Sequence, residues 1–570
     1  MEKKFSNMSI SSTEITKADS SIDISCTQFP HDFVFGVATS AYQHEGSAIK
    51  GGRGPSIWDV FALNAPGRID DGSNGNVAAD MYTKYKDDIK MMKSMGFDAY
   101  RFSISWSRIL PGGRLCLGVN KDGIDYYNEL INTVIANDME PFVTLFHFDL
   151  PHSLQQEYDG FLSRDVADFF REFAELCFWE FGDRVKYWIT LNEPWTYAHN
   201  GYVTRKFPPL GPGLTVAARA RARAPAGLTT QTSSKMMNYI PYRGRPDHEQ
   251  HQFLKAAAAS NQINSSGSRQ KWDPAKDPYT VGRNLLLAHA HAVHSYRTKF
   301  EEHQKGKIGI ALNIFWCEPY KKGDADDIEA ANRAMDFMLG WFLEPVLTGK
   351  YPKSMRDHVL PENLAPISDS EAELLKGSID FLGLNYYTAI YAANNPHPKP
   401  DVQEGYPRDQ KVQFSYTDPI GNLIGPQAGS DWLHIYPEGL YNLLTKYIND
   451  NYKNKIPPIY ITENGVDEKS DYTLTAKDAC VDSIREDYYK RHLVNLLKAM
   501  NKVNVKGYFA WSWCDNFEWT EGYTVRFGLI YVDYMNYLTR YPKASAIWFA
   551  KFLATKKFVR QDKKKESGQK

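Results

Sequence analysis

Apolar, β-branched and aromatic residues recur along this chain in eight short runs, at 33–37, 98–106, 140–149, 186–194, 308–316, 380–388, 458–465 and 505–513. Runs of that length, apolar almost throughout, read as strands buried on both faces. Between them lie longer stretches whose apolar residues return every three or four positions, at 82–95, 123–137, 165–181, 281–300 and 325–347. Strand followed by helix, repeated eight times, predicts an α/β protein built as a single (β/α)8 TIM barrel with long βα-loop insertions, rather than a doubly wound sheet. Two stretches break the pattern. Residues 202–277, rich in Pro, Gly, Ser, Arg and Ala, follow the fourth run directly. They are expected to overhang the barrel mouth as a lid or a wall, a loop without a role being the plainer reading of their middle. Residues 394–431, after the sixth run, are expected to form the opposite wall. The organisation that follows is a disordered tail at 1–28, the barrel at 29–553 and a basic tail at 554–570.

The strand ends of such a barrel, with the loops that follow, build its active face. Gln43 lies beyond the first run, Arg101 and Trp106 are on the second, His147 on the third, Glu193 on the fourth, Asn313 on the fifth, Asn385 and Tyr387 on the sixth, Glu463 on the seventh and Trp511 on the eighth. Layers of Val, Ile and Leu are expected to fill the interior, so polar residues gathered at the last positions are hard to attribute to packing. Glu193 in Ile-Thr-Leu-Asn-Glu-Pro and Glu463 in Ile-Tyr-Ile-Thr-Glu-Asn-Gly are the two carboxylates of this set. Glycoside hydrolysis needs such a pair: one carboxyl protonates the leaving oxygen while the other stabilises or attacks the anomeric carbon. For either glutamate alone a salt-bridged structural role is the blander reading, and the pair in context outweighs it.

Composition narrows the partner. A net charge of −1 leaves no global field to hold nucleic acid, an anionic membrane or a polyanion, so a neutral small molecule is expected. The 14% aromatic content suits a sugar or aromatic ligand as well as an ordinary core. No eighteen apolar residues run together and the first 27 residues lack an apolar segment, so a protein of the cytoplasm, outside the secretory route, is expected. Over 551–570 eight Lys or Arg stand against two acidic residues. A solvated end is the plain reading, and entry to the nucleus is the alternative. Cys26, Cys116, Cys177, Cys317, Cys480 and Cys514 are scattered without metal-ligand spacing, which predicts free thiols and no metal site.

Five strings carry a resemblance to a known family: Phe35-Gly36-Val37-Ala38-Thr39-Ser40-Ala41-Tyr42-Gln43, Tyr100-Arg101-Phe102-Ser103-Ile104-Ser105-Trp106-Ser107-Arg108, Thr190-Leu191-Asn192-Glu193-Pro194, Thr462-Glu463-Asn464-Gly465 and Trp511-Ser512, with Asp515-Asn516-Phe517-Glu518-Trp519 in addition. In barrel order they resemble glycoside hydrolase family 1, the retaining β-glucosidases, over about 29–552. The resemblance implies Glu193 as general acid/base and Glu463 as nucleophile, with the carboxyls about 5 Å apart. The charge on Glu463 would keep the proton on Glu193 until Glu463 is esterified. It implies Gln43, His147, Asn192, Glu518, Trp519 and Phe527 in the glucose subsite and Trp511 as the platform beneath the ring. Tyr387 would orient the nucleophile, and Arg101 with Asn385 would support it. No cofactor or metal is implied.

Myrosinase-like relatives carry Gln where Glu193 stands; its presence here points to an O-glycoside, whose poor leaving group needs a proton. Gly425-Pro426-Gln427-Ala428-Gly429-Ser430-Asp431-Trp432-Leu433 and Ala174-Glu175-Leu176-Cys177-Phe178-Trp179-Glu180-Phe181 are similar to the plant alkaloid glucosidases of raucaffricine and strictosidine type. Trp195 and Trp432 would then wall a polycyclic aglycone. The chain departs from the family pattern at Phe148, where Trp is usual, at Trp513-Cys514 and at His44; Phe148 would change which leaving groups fit. A retaining β-D-glucosidase of an alkaloid O-β-glucoside is expected. The alternatives are a transglucosidase with the same residues, a glucosidase of phenolic or terpenoid glucosides, and a sugar-binding protein without turnover. The sequence does not decide between a monomer and a homo-oligomer.

Overall fold

The computed structural model describes residues 24–210 and 272–567, with side chains as far as residue 555. Eight strands form the barrel: β1 (Val34–Ala38), β2 (Ala99–Ser103), β3 (Glu140–Phe146), β4 (Tyr187–Asn192), β5 (Lys307–Pro319), β6 (Phe381–Asn394), β7 (Ile459–Asn464) and β8 (Val505–Trp511). Each pairs in parallel with the next, and β8 pairs with β1, so the sheet closes without an edge.

A helix follows each strand: α1 (Met81–Ser94), α2 (Lys121–Ala136), α3 (Asp165–Phe181), α4 (Asp277–Lys299), α5 (Ala325–Met335), α6 (Pro437–Asn442), α7 (Ser483–Ala499) and α8 (Ala544–Ser567). Their faces follow from spacing. In α3, Val166, Phe170, Phe173, Ala174, Cys177, Phe178 and Phe181 recur at three- and four-residue intervals and are all buried, while Asp165 and Asp168 occupy the first turn, where the helix dipole favours negative charge. The Asp324 side chain accepts from the Asp326 and Asp327 amides and so caps α5.

The interior differs from the expected Val, Ile and Leu layers. Its lower end is plugged by Phe142, Tyr187, Phe381, Tyr460 and Phe509, with Phe142 at 4.2 Å from Tyr187, 4.8 Å from Phe509 and 5.4 Å from Tyr460 between ring centroids. Large rings enter because small residues face them: a Cβ on Gly36 would sit 2.4 Å from the Phe509 ring. Alternation sends the intervening side chains outward, where Trp188 meets Phe178 of α3 and Thr190 meets His289 of α4.

Several boundaries move. Residues 24–28, read as tail, belong to the packed body: Cys26–Gln28 form a turn whose Cys26 is buried, and Phe29 lies against Phe33, Phe35 and Phe552. Residues 554–567 continue α8 rather than starting a separate segment. Tyr202 and Val203 are buried and Asp277 opens α4, so both ends of the 202–277 stretch are packed. The rest of that stretch, 211–271, lies outside the described residues, as do 1–23 and 568–570. Strand β6 outruns the barrel, because Tyr391–Asn394 pair with an added antiparallel strand, Val412–Ser415. A hairpin follows at Thr417 and Leu423. The stretch 394–431, expected to be irregular, thus contains a short helix, Tyr406–Gln410, and a strand among its turns. All six cysteines are free thiols, and only Cys116 is exposed.

Candidate active site

Strand β4 ends at Asn192, and the next residue, Glu193, takes left-handed φ/ψ of 45° and 60°. A non-glycine residue there is strained. Its amide donates to the Ala311 carbonyl at 2.8 Å, and Pro194, which has no N–H to lose, opens the helix Pro194–Ala198. Glu463 stays inside β7, opposite Asn385 of β6. Both carboxylates therefore stand at the carboxyl ends of strands, where the barrel exposes its chemistry.

Each oxygen of Glu463 has its own donor. Arg101 Nη1 reaches Oε1 at 2.6 Å and Tyr387 Oη reaches Oε2 at 2.7 Å. Arg101 is fully buried, and its Nη2 donates to Asn192 Oδ1 at 2.7 Å. Among the described residues Glu193 has no such ion pair. Asn385 Nδ2 donates to Oε1 at 2.8 Å and Thr196 Oγ to Oε2 at 2.8 Å. Burial first, and the Glu463 charge second, push its carboxyl up to about 7, against the pull of Asn385, Thr196 and Arg101. A carboxyl poised there can hold a proton near neutrality and release it when the neighbouring charge is lost.

Asn385 corrects one expectation. Its amide supports Glu193 and Asn192, not the Glu463 carboxylate, because its Oδ1 is taken by Thr462 Oγ at 2.6 Å and this turns the NH2 toward β4. Asn192 ties the two halves together, since its Oδ1 accepts from both Arg101 and Asn385.

Around this pair the expected sugar-binding residues converge. Gln43 Nε2 donates to Glu518 Oε2 at 3.2 Å, while its Oε1 accepts from Ser40 Oγ at 2.6 Å. Asn192 Nδ2 donates to His147 Nε2 at 3.1 Å. This assigns the ring proton to Nδ1, which is buried and has no partner among the described residues. Burial, with Arg101 and His44 nearby, holds the His147 imidazole well below its ordinary range, so it is neutral. Burial and the charges of Glu521, Asp467, Glu463 and Glu193 push the Glu518 carboxyl well above its usual range. Trp511 lies stacked 5.9 Å from His147 and edge-on to His44, whose buried ring backs it. Trp519 also stacks on His147, at 6.0 Å, and Phe527 meets Tyr387 edge-on at 6.0 Å.

The outer residues separate. Trp432, half-buried, stacks on Phe315 of β5 at 6.0 Å and meets Tyr387 edge-to-face at 5.9 Å, so it borders the tyrosine that donates to Glu463. Trp195 stacks on His199 at 4.2 Å and donates its indole N–H to Tyr406 Oη at 2.8 Å. Phe148, with φ of 69°, is buried and packs between His147, at 5.1 Å, and Trp519, at 5.2 Å. Trp106 is also not at the site. Strand β2 ends at Ser103, and Trp106 packs on Phe173 of α3 at 5.0 Å.

Residues not singled out for the site are Thr196, Thr462 and Asn516. Thr196 stands three positions after Glu193 in a helical turn, a spacing that faces it back to the glutamate, and Thr462 precedes Glu463. Asn313, expected at a strand end, lies in the middle of β5 and among the described residues reaches Glu193 through Thr196, by a 2.8 Å bond from its Nδ2. Among the described residues no group of three His, Cys, Asp or Glu could hold a metal ion.

The family profile of glycosyl hydrolase family 1 matches residues 25–225 and 249–558. Raucaffricine-O-β-D-glucosidase of Rauvolfia serpentina is 48% identical over 570 residues, covering 97% of this chain and 98% of that protein. Oleuropein β-glucosidase of Olea europaea is 48% identical over 533 residues, 92% and 89% of the two chains. The crystal structure of a rice β-glucosidase superimposes with a TM-score of 0.79 at 40% identity, over 93% of this chain and 99% of that one. Similarity of this extent, reaching both strands that carry the glutamates, makes the chain a member of glycosyl hydrolase family 1 and its chemistry the hydrolysis of glycosides.

Proposed function

We propose that this enzyme is a retaining β-D-glucosidase that releases the aglycone of an alkaloid O-glucoside. The observation that carries the mechanism is the contrast between the two carboxyls: Glu463 is salt-bridged to Arg101, whereas Glu193, among the described residues, accepts from neutral donors and is pushed up to about 7. In the first step the Glu463 carboxylate attacks the anomeric carbon while Glu193 gives its proton to the glycosidic oxygen, and the aglycone leaves as a neutral alcohol. Esterification removes the Glu463 charge, so Glu193, now a carboxylate, takes a proton from water as the water oxygen attacks the same carbon and Glu463 is freed. His147 Nδ1–H, Gln43 and Glu518 offer hydrogen bonds to the sugar hydroxyls, and Trp511 its ring face.

Azide tests the mechanism. Glu193→Ala should be rescued on an activated aryl glucoside, giving the β-glucosyl azide, because a good leaving group needs no acid and a small anion needs no base. An α-glucosyl azide would mean inversion and refute the two-step route.

For the aglycone, the 48% identity to the raucaffricine enzyme supports an alkaloid, as do the half-buried indoles of Trp432, beside Phe315, and Trp195, two residues after Glu193. The equal identity to the oleuropein enzyme favours a second reading, a phenolic or terpenoid glucoside. Comparing kcat/KM over a panel of alkaloid, phenolic and terpenoid glucosides separates them. A preference for the phenolic members would sink the alkaloid reading. Measuring glucose release with and without added alcohols distinguishes hydrolysis from transglucosylation, which the same residues permit.

A further inference from the structure

Thr196 Oγ lies 2.8 Å from Asn313 Nδ2 and 2.8 Å from Glu193 Oε2, and both Thr196 and Asn313 are buried. A hydroxyl has one proton. Where an amide N–H enters it from Asn313, that proton must point away, at Glu193. The amide takes this orientation because the carboxylate is a stronger acceptor for the Thr196 proton than the Asn313 carbonyl, whose Oδ1 has no partner among the described residues. We propose that Asn313 and Thr196 are positioning residues that fix the direction of the hydrogen bond into Glu193 and so tilt this carboxyl toward its base form. The inference rests on the acid/base reading of Glu193.

Other groups also face Glu193: Glu463 on β7 favours its proton, Arg101 on β2 opposes it, and Glu518 beyond β8 and Tyr387 on β6 lie within electrostatic reach. None of them changes when Thr196 is replaced. Glucosylation needs Glu193 protonated and deglucosylation needs it ionised, so a donor fixed on Oε2 helps the second step and hinders the first.

The test is Thr196→Val beside Thr196→Ser. With an alkyl glucoside, kcat/KM reports the proton-dependent first step, and its alkaline limb should move up by about one pH unit in Thr196→Val and stay in Thr196→Ser. With 2,4-dinitrophenyl β-D-glucoside, whose turnover is limited by deglucosylation, kcat should fall several-fold in Thr196→Val alone. Asn313→Ala, which leaves the hydroxyl free to turn, should move the limb in the same direction by less. An unmoved limb in Thr196→Val, or an equal shift in Thr196→Ser, overturns the proposal while azide rescue of Glu193→Ala keeps the acid/base reading. Failure of the azide rescue brings down both.

Discussion

Glu463 accepts from Arg101 on one oxygen and from Tyr387 on the other, so an amide of the same volume can keep the site filled while removing the carboxylate proposed as nucleophile. Glu463→Gln should therefore retain the fold, read by circular dichroism, and lose on the order of 10⁴-fold in kcat or more, as single-nucleophile deletions do. A variant with a tenth of wild-type activity would show another residue to be the nucleophile. Trp432 calls for a subtler experiment. It rests on Phe315 and borders Tyr387, which donates to Glu463, so its ring meets both the outer aromatic residues and a partner of that carboxylate. Trp432→Ala should lower kcat/KM for a polycyclic alkaloid glucoside by about 1–3 kcal/mol, the range of lost stacking and apolar contact, and change a small aryl glucoside much less. Equal losses on the two substrates would mean that the Tyr387 contact dominates.

At the scale of elements, the segment that carries Trp432 is fastened to the turn after β8. Ser430 Oγ touches both Asp467 and Glu521, with Glu521 Oε2 at 2.6 Å, although it can donate to only one of them. Asp467 also accepts the Gly429 and Ser430 amides at 3.0 Å each, which suits a carboxylate and leaves Glu521 as the protonated partner that donates to Ser430. Burial foremost, with the charges of Asp467 and Asp70, pushes Glu521 up to about 7 from an ordinary 4.5. A carboxyl raised on folding contributes its stability below 4.5 and loses it as pH climbs through 7. Glu521→Gln keeps a donor to Ser430 at every pH. The Tm of this variant should match wild type near pH 5 and exceed it at pH 8, and parallel curves over that interval would refute the protonated strap.

For the whole molecule, the segment before β1 and helix α8 meet beneath the barrel. Phe29 packs on Phe33 at 4.9 Å, edge-on to Phe35 of β1 at 5.2 Å and to Phe552 of α8 at 6.3 Å. Its side chain is buried, so Phe29→Ala should cost about 3 kcal/mol or more, seen as a lower denaturation midpoint. The cluster lies at the amino ends of the strands and the site at their carboxyl ends, so kcat/KM on an aryl glucoside should be unchanged at temperatures where the variant stays folded. A fall in kcat/KM without a fall in midpoint would contradict this division of labour.

Local pattern by itself determined the barrel and the two glutamates. Apolar runs that alternate with amphipathic stretches have few other ways to bury their surface, and a carboxylate at the end of such a run has no place in the core. Tertiary structure alone decided which partner each side chain meets. The registers of β4 against β5 and of β6 against β7 shift between Ile189 and Asn192 and between Leu384 and Asn385, and these irregularities fall where Glu193, Asn385 and Glu463 are placed. A one-residue slip turns a side chain to the other face, so the donation of Asn385 to Glu193 rather than Glu463 depends on pairing across strands that are far apart in sequence. The same holds for the aromatic plug, where Phe142, Tyr187, Tyr460 and Phe509 come from four separate strands and the Phe509 ring fits because Gly36 faces it from a fifth.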